Sequence, residues 1–148
     1  MPYEIPPRER PKDDNGYFEQ LTKAVFRAGF SWKVIRDKWP NFQRAFDGFD
    51  IEKVARYEAQ DVDRLLADEG IVRNGRKIEA TIHNANVIQQ LIAKHGSFYH
   101  YLRSLDGLDY AARRKDLRRR FRHLGPTGIF VFLHCVDENV PSWDERNI

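Results

Sequence analysis

The sequence predicts an all-α fold, and three observations carry that expectation. From Tyr17 onward apolar residues recur at helical spacing. Side chains that favour helix N-termini stand ahead of those stripes, among them Ser31, Asp50, Ser97 and Asp109. No stretch alternates as a strand does over more than a few residues. The 148 residues suit one domain, long enough to bury a core without metal or disulfide staples.

Residues 1–16 read as a flexible Pro-rich arm, because Pro2, Pro6, Pro7 and Pro11 oppose helix, and 17–148 as a single helical domain. Phe18, Leu21, Ala24 and Val25 form the first stripe, which Gly29 ends. Ser31 caps a second helix carrying Trp32, Val34, Ile35 and Trp39, and Pro40 starts a separate short helix over 41–46. Asp50 caps a helix over 51–56, and the Asp61 region opens one with Val62, Leu65 and Leu66. A bend at Asn74-Gly75 precedes the longest helix, about 76–94, with Ile78, Ile82, Ala85, Ile88 and Ile92 on one side. Ser97 caps a helix over 98–105, a strongly basic helix spans 109–123, and 127–136 is the most apolar helix of the chain.

Composition narrows the function. Hydrophobic residues are 41% and aromatics 13%, which is globular rather than disordered. A net charge of +3 permits a nucleic acid or anionic membrane partner without requiring one. The single Cys135 excludes an internal disulfide and any zinc site needing two thiolates. No window approaches the ~20 apolar residues of a membrane span. Charges and prolines occupy the first residues where a signal peptide has its apolar stretch. A cytoplasmic protein is therefore expected. His83, His95, His100, His123 and His134 have no metal-ligand spacing, and neither metal nor cofactor is expected.

The turn between the last two expected helices carries the most chemistry. In Phe121-Arg122-His123-Leu124-Gly125-Pro126-Thr127-Gly128, Gly125 allows a backbone closed to other residues and Pro126 suits a first helical position. Free N–H groups around Gly125, Thr127 and Gly128 at a helix N-terminus suit a phosphate. This is the recipe of a helix-hairpin-helix DNA-binding element; the alternative is a plain corner between helices.

Four blocks occur in one order: Ala28-Gly29-Phe30-Ser31-Trp32, Gly70-Ile71-Val72-Arg73-Asn74-Gly75-Arg76-Lys77-Ile78, His83-Asn84-Ala85, and Leu124-Gly125-Pro126-Thr127. Together they resemble the bacterial DNA-3-methyladenine glycosylase I family, within the helix-hairpin-helix glycosylase superfamily. The resemblance runs from about Phe18 to Val136. It implies two helical lobes with a central cleft, and excision of damaged bases from duplex DNA. It places Trp32 in a base pocket and matches Gly29 and Phe30 to the stretch that wedges into the duplex. Phe26 is a second candidate pocket aromatic, its alternative being a core residue. The family more often has Leu at the Phe30 position, and Phe also suits an intercalating wedge.

The sequence departs from that family in three places. Ala24 stands where the family has a pocket Glu, and Arg27 where it has Gln. The family's zinc site of Cys and His near both ends has no counterpart, since residues 1–16 hold neither type and none follows Cys135. Fold therefore carries over further than substrate. The superfamily's usual lysine just after the hairpin glycine is missing, with Thr127 two residues past it, so a monofunctional glycosylase is expected rather than a lyase.

Cleaving an N-glycosidic bond builds positive charge on the sugar, which a carboxylate can stabilise. Most of the superfamily keeps an Asp about twenty residues past the hairpin glycine. Asp144 lies nineteen past Gly125 and is the catalytic candidate; its alternative is a solvated acid in the C-terminal tail. Arg113-Arg114-Lys115 and Arg118-Arg119-Arg120-Arg122 put seven cations just before the hairpin. Arg73, Arg76 and Lys77 sit at a helix start, the unfavourable end of the dipole for cations, so they are expected to meet DNA phosphates.

The expected function is flipping and hydrolytic excision of an alkylated, 3-methyladenine-like base from double-stranded DNA by a monomer. Two rivals stand beside it: an inactive helix-hairpin-helix protein that binds damaged or distorted DNA, and a helical interaction domain without nucleic acid.

Overall fold

A computed structural model describes residues 5–148; the first four residues of the expected arm lie outside it. The described residues contain eight α-helices and no strand. They are α1 (Asp14–Arg27), α2 (Trp32–Ala45), α3 (Ile51–Ala55), α4 (Ala59–Leu66), α5 (Gly75–His95), α6 (Phe98–Arg103), α7 (Tyr110–Arg120) and α8 (Pro126–Cys135). Short 3-10 turns follow α2 (Asp47–Phe49) and close the chain (Trp143–Glu145).

Local chemistry sets most boundaries. Ser31, Asp50, Asn74, Ser97 and Asp109 each accept the backbone N–H three residues on, satisfying a donor that the first helical turn leaves free. Glu58 and Asp61 form a reciprocal box at the start of α4. The expected 1–16 arm is shorter than the prolines suggested. Asp13 caps Gly16 and starts α1 at Asp14.

Pro40 does not begin a new helix; α2 runs through it to Ala45. The ring is exposed, while Trp39 and Phe42 on either side are buried. Their burial, worth about 2–3 kcal/mol per large side chain, offsets one missing backbone bond.

The helices gather in two groups, with α1 and α5 between them. On one side α2, α3 and α4 pack against α1 and α5; on the other α6, α7 and α8 close the body. An aromatic stack fills the first group: Trp39 lies 4.9 Å from Phe42 and 5.0 Å from Phe49, and Phe26 lies 4.7 Å from Phe42. Such ring pairs add ~0.5–1.5 kcal/mol each beyond area burial. The second group centres on Phe98, which meets Tyr101, Phe121 and Phe132. The described part of the arm crosses to the end of α8. Arg8 bonds Asp137, His134 and the Glu138 carbonyl, and the Glu9 N–H donates to the Cys135 carbonyl.

Candidate functional site: a basic-rimmed base pocket

Between the two helical groups lies an open cavity of about 460 Å³. One wall is the end of α1 and the turn into α2: Ala24, Arg27 and residues 28–33. The other is the first turn of α8, through Thr127 and Gly128.

The α1–α2 turn is shaped by Gly29, whose φ of 86° suits a residue without Cβ. The Phe30 N–H closes the turn on the Arg27 carbonyl at 2.8 Å. The turn presents Phe30, 44% exposed, at the mouth. Trp32 follows at the first position of α2, 5% exposed, with its inner face toward Trp39 at 6.5 Å between ring centres. Expected as wedge and wall, Gly29, Phe30 and Trp32 thus line one cavity. Phe26, expected beside Trp32, does not. It is fully buried against Phe42 and Phe46 and belongs to the core. It lies on α1, before the turn, and points into the body rather than the cleft.

Lys77 also departs from expectation. Instead of reaching outward toward phosphate it is 3% exposed, and its ammonium donates to the carbonyls of Phe26 (3.1 Å) and Ala28. Helix α1 ends there with unsatisfied carbonyls, which attract a cation. The same ammonium sits 5.0 Å from the Phe30 ring centre, so Lys77 props the exposed aromatic from behind. Burial pushes its pKa below the ordinary lysine value. Its neighbours Arg73 and Arg76 are exposed, and no internal acceptor holds them among the described residues.

The hairpin joins α7 to α8 through residues 121–125. Gly125 is the N-cap and Pro126 the first helical residue, as the sequence suggests. Gly125, however, is ordinary extended backbone (φ −88°). The left-handed residue is His123 (φ 61°). Gly128 matters for space, since a Cβ there would come within 3.1 Å of Leu124. No side chain caps α8, so its first N–H groups face the cavity mouth with no capping acceptor from the N-cap residue.

Asn84, not singled out as a site residue from sequence, fixes this turn. It is 1% exposed, accepts the Arg122 N–H at 2.9 Å and donates to the Arg122 carbonyl at 3.2 Å. Its signal lay in the His83-Asn84-Ala85 block.

The seven cations of the basic run divide. Arg113 and Arg114 donate to the carbonyls of Asn139 and Arg146, while Arg119 and Arg120 bond Asp116. The side chains of Lys115, Arg118 and Arg122 are exposed and donate to no acceptor among the described residues. With Arg73 and Arg76 they make five exposed cations. Burial, then the charges of Lys77 and Arg76, hold the His123 imidazole below its ordinary pKa.

Asp144 lies on the closing 3-10 turn, exposed, and is not in the cavity lining. That turn packs on α8: Trp143 edges Phe130 at 5.5 Å, and Arg146 Nε donates to the Thr127 hydroxyl at 3.3 Å. The hydrogen bond ties the segment carrying Asp144 to a residue of the cavity wall.

The residues present do not suit the family's zinc. Among the described residues no group of three His, Cys, Asp or Glu side chains converges. The Cys135 thiol donates to the Pro6 carbonyl, and burial pushes its pKa up to about 11. That thiol resists the deprotonation zinc ligation requires.

An all-helical body with an open cleft between two helical groups defines a glycosylase-type fold. Solved structures with this architecture include 3-methyladenine DNA glycosylase I, as a tyrosine-to-phenylalanine variant in complex with 3-methyladenine. It has a TM-score of 0.78 and 30% identity, covering 90% of this chain and 84% of that one. The enzyme of the same name from Staphylococcus aureus gives a TM-score of 0.77 at 31% identity, covering 86% and 78%. Residues 8–123 match the methyladenine glycosylase family, and the chain belongs to that family. The match stops two residues before the hairpin glycine. DNA-3-methyladenine glycosylase 1 of Escherichia coli (strain K12) is 38% identical over 79 residues, 53% of this chain and 42% of that protein. The Haemophilus influenzae DNA-3-methyladenine glycosylase is 33% identical over 73 residues, 49% and 40%. The aligned segment thus spans less than half the length of these curated relatives.

Proposed function

We propose that the chain is a monofunctional DNA glycosylase of base excision repair, acting as a monomer on duplex DNA in the cytoplasm, at the nucleoid. The observation that best supports this reading is the pairing of an exposed aromatic with an aromatic-walled cavity directly behind it. In this reading exposed Phe30 fills the gap left in the duplex, and Trp32, lining the cavity, receives the extruded base. The cavity volume leaves room for a nucleobase. The α8 N-terminus with Gly125, Thr127 and Gly128 holds one strand's phosphates, and Arg73 and Arg76 the backbone beside it. Asp144 is the carboxylate we assign to the sugar cation. Names of the relatives put an alkylated purine of the 3-methyladenine kind first among candidate bases.

Hydrolysis breaks the bond between C1′ and the base nitrogen. Water oxygen then bonds C1′, and its proton leaves to solvent or to the departing base. The test is direct: incubate the protein with duplexes bearing 3-methyladenine, 7-methylguanine, hypoxanthine or uracil and assay free base. Release from at least one duplex above spontaneous loss is expected.

One observation favours a second reading, in which the chain binds distorted DNA without cutting it: no acidic residue lines the cavity. Tight lesion binding with no release from any duplex would establish that alternative.

A further inference from the structure

Two residues of the cavity lining carry a hydroxyl, Ser31 and Thr127, and they differ in what holds them. Ser31 is exposed, and its oxygen is engaged as the N-cap of α2. Thr127, in the first turn of α8, is half-buried, and its oxygen accepts from Arg146 Nε at 3.3 Å. Arg146 is not itself in the lining. Its Nη1 donates to the Trp143 carbonyl at 2.9 Å, and its guanidinium lies 4.1 Å from the Trp143 ring centre. The Arg146 carbonyl accepts from Arg114 at 3.2 Å, so backbone and side chain are both anchored. Among the described residues no carboxylate pairs with this guanidinium.

We infer that the Thr127 hydroxyl is a catalytic hydrogen-bond donor to a ring nitrogen or carbonyl oxygen of the extruded base, and that Arg146 is its positioning residue. The inference rests on the glycosylase reading and adds to it a contact with the departing base. An arginine can only donate, so the Thr127 oxygen is the acceptor in their bond and its own proton stays free to donate. Among the described residues no acceptor takes that proton. With the guanidinium on one lone pair the proton turns away from Arg146, and the cavity that Thr127 lines is where an acceptor can reach it. The Thr127 N–H is a separate group and remains for phosphate.

The bond that breaks gives this donor its value. As C1′–N cleaves, the electron pair passes to the base, whether the base began neutral or cationic. Electron density rises on its ring nitrogens and carbonyl oxygens. A hydrogen bond donated to one of them is therefore stronger in the transition state than in the ground state, which is the condition for catalysis. Hydrogen bonds in a chain polarise one another, so the Arg146 charge makes the hydroxyl a better donor. Thr127 keeps its proton throughout; the proton that balances the reaction comes from the attacking water. This contribution needs no carboxylate in the cavity wall, where none stands.

The experiment measures free-base release under single-turnover conditions, with spontaneous loss subtracted, from duplexes bearing 3-methyladenine, 7-methylguanine, hypoxanthine or uracil. Wild type, Thr127→Val, Thr127→Ser, Arg146→Met and the Thr127→Val/Arg146→Met double variant are compared on the lesion that wild type releases fastest, each with a melting curve. Thr127→Val, which keeps the shape and loses the hydroxyl, should slow release by at least about tenfold, below the usual cost of one lost transition-state donor. Thr127→Ser should keep most of the rate. Arg146→Met should slow release less than Thr127→Val does. In the double variant it should add no more than about twofold to the Thr127→Val loss, because Arg146 acts through the hydroxyl. The Val and Ser arms decide alone where Arg146→Met does not fold. Release unchanged in Thr127→Val, equal slowing by Val and Ser, or losses that multiply in the double variant overturn the inference and leave the glycosylase reading standing. No release from any duplex by wild type overturns the glycosylase reading, and this inference with it.

Discussion

Replacing Lys77 by Met removes a buried cation while keeping most of the volume of its stem. The ammonium donates to two carbonyls at the end of α1, and one of these, on Phe26, lies in the buried interior. Hydrogen bonds from a charged donor are worth ~1.5–3 kcal/mol each. Against that stands the cost of holding an ammonium at 3% exposure, which its lowered pKa registers and which the Met variant escapes. The Ala28 carbonyl can turn to water, whereas the Phe26 carbonyl cannot, so the net loss is about 2 kcal/mol. For a chain of this length that corresponds to a fall in Tm of about 4–8 °C by thermal denaturation. Exposed Glu79, on the same helix, should tolerate Ala within about 0.5 kcal/mol. A Lys77→Met protein melting within about 1 °C of wild type would refute the claim that Lys77 anchors the turn bearing Phe30.

Further outcomes follow from other contacts. Burial alone would raise the Asp116 pKa, but hydrogen bonds from Tyr101, Arg120 and Arg119 outweigh it and hold the carboxyl below its ordinary 3.8. A lowered carboxylate stabilises the fold above its unfolded pKa, and that stability is lost as pH falls through the lower folded value. Asp116→Asn should therefore lower Tm at neutral pH and flatten its fall in the acid range, read by melts from neutral pH downward. Arg73→Ala and Arg76→Ala should each reduce the salt dependence of DNA affinity by about one unit of slope in a log–log titration; an unchanged slope removes that residue from the interface. Asp144→Asn should reduce base excision while leaving the melting curve unchanged, because the side chain is exposed. Undiminished excision removes Asp144 from the chemistry.

Much of the helical frame was legible because its signals are local. Ser31, Asp50, Ser97 and Asp109 each bond a backbone group three residues away, and a three-residue pattern is visible in a linear sequence. What escaped was set at long range. Lys77 has the appearance of a surface cation until the carbonyls of Phe26 and Ala28, about fifty residues earlier, are brought to it. Asn84 likewise acts on Arg122, 38 residues on. Phe26 and Trp32 share one type of aromatic pattern, and only the turn at Gly29 decides that one enters the core and the other the cleft. The hairpin was recognisable from Gly125-Pro126, yet its unusual backbone falls on His123, where no glycine advertises it. Ala24 and Arg27 were noticed as departures from the family. Their place in one carboxylate-free wall emerges only when α1 faces α8.

The central claim is that Phe30 and the cavity behind it work together as wedge and base pocket. Free-base release from the lesion duplexes by Phe30→Ala, beside wild type, tests it most directly, since this exposed side chain can be removed with little effect on the core. The account predicts release by wild type from at least one lesion duplex and a loss of at least about tenfold in the variant, the cost of leaving the opened base stack unfilled. Equal release by the two proteins, at equal fold stability, would contradict it.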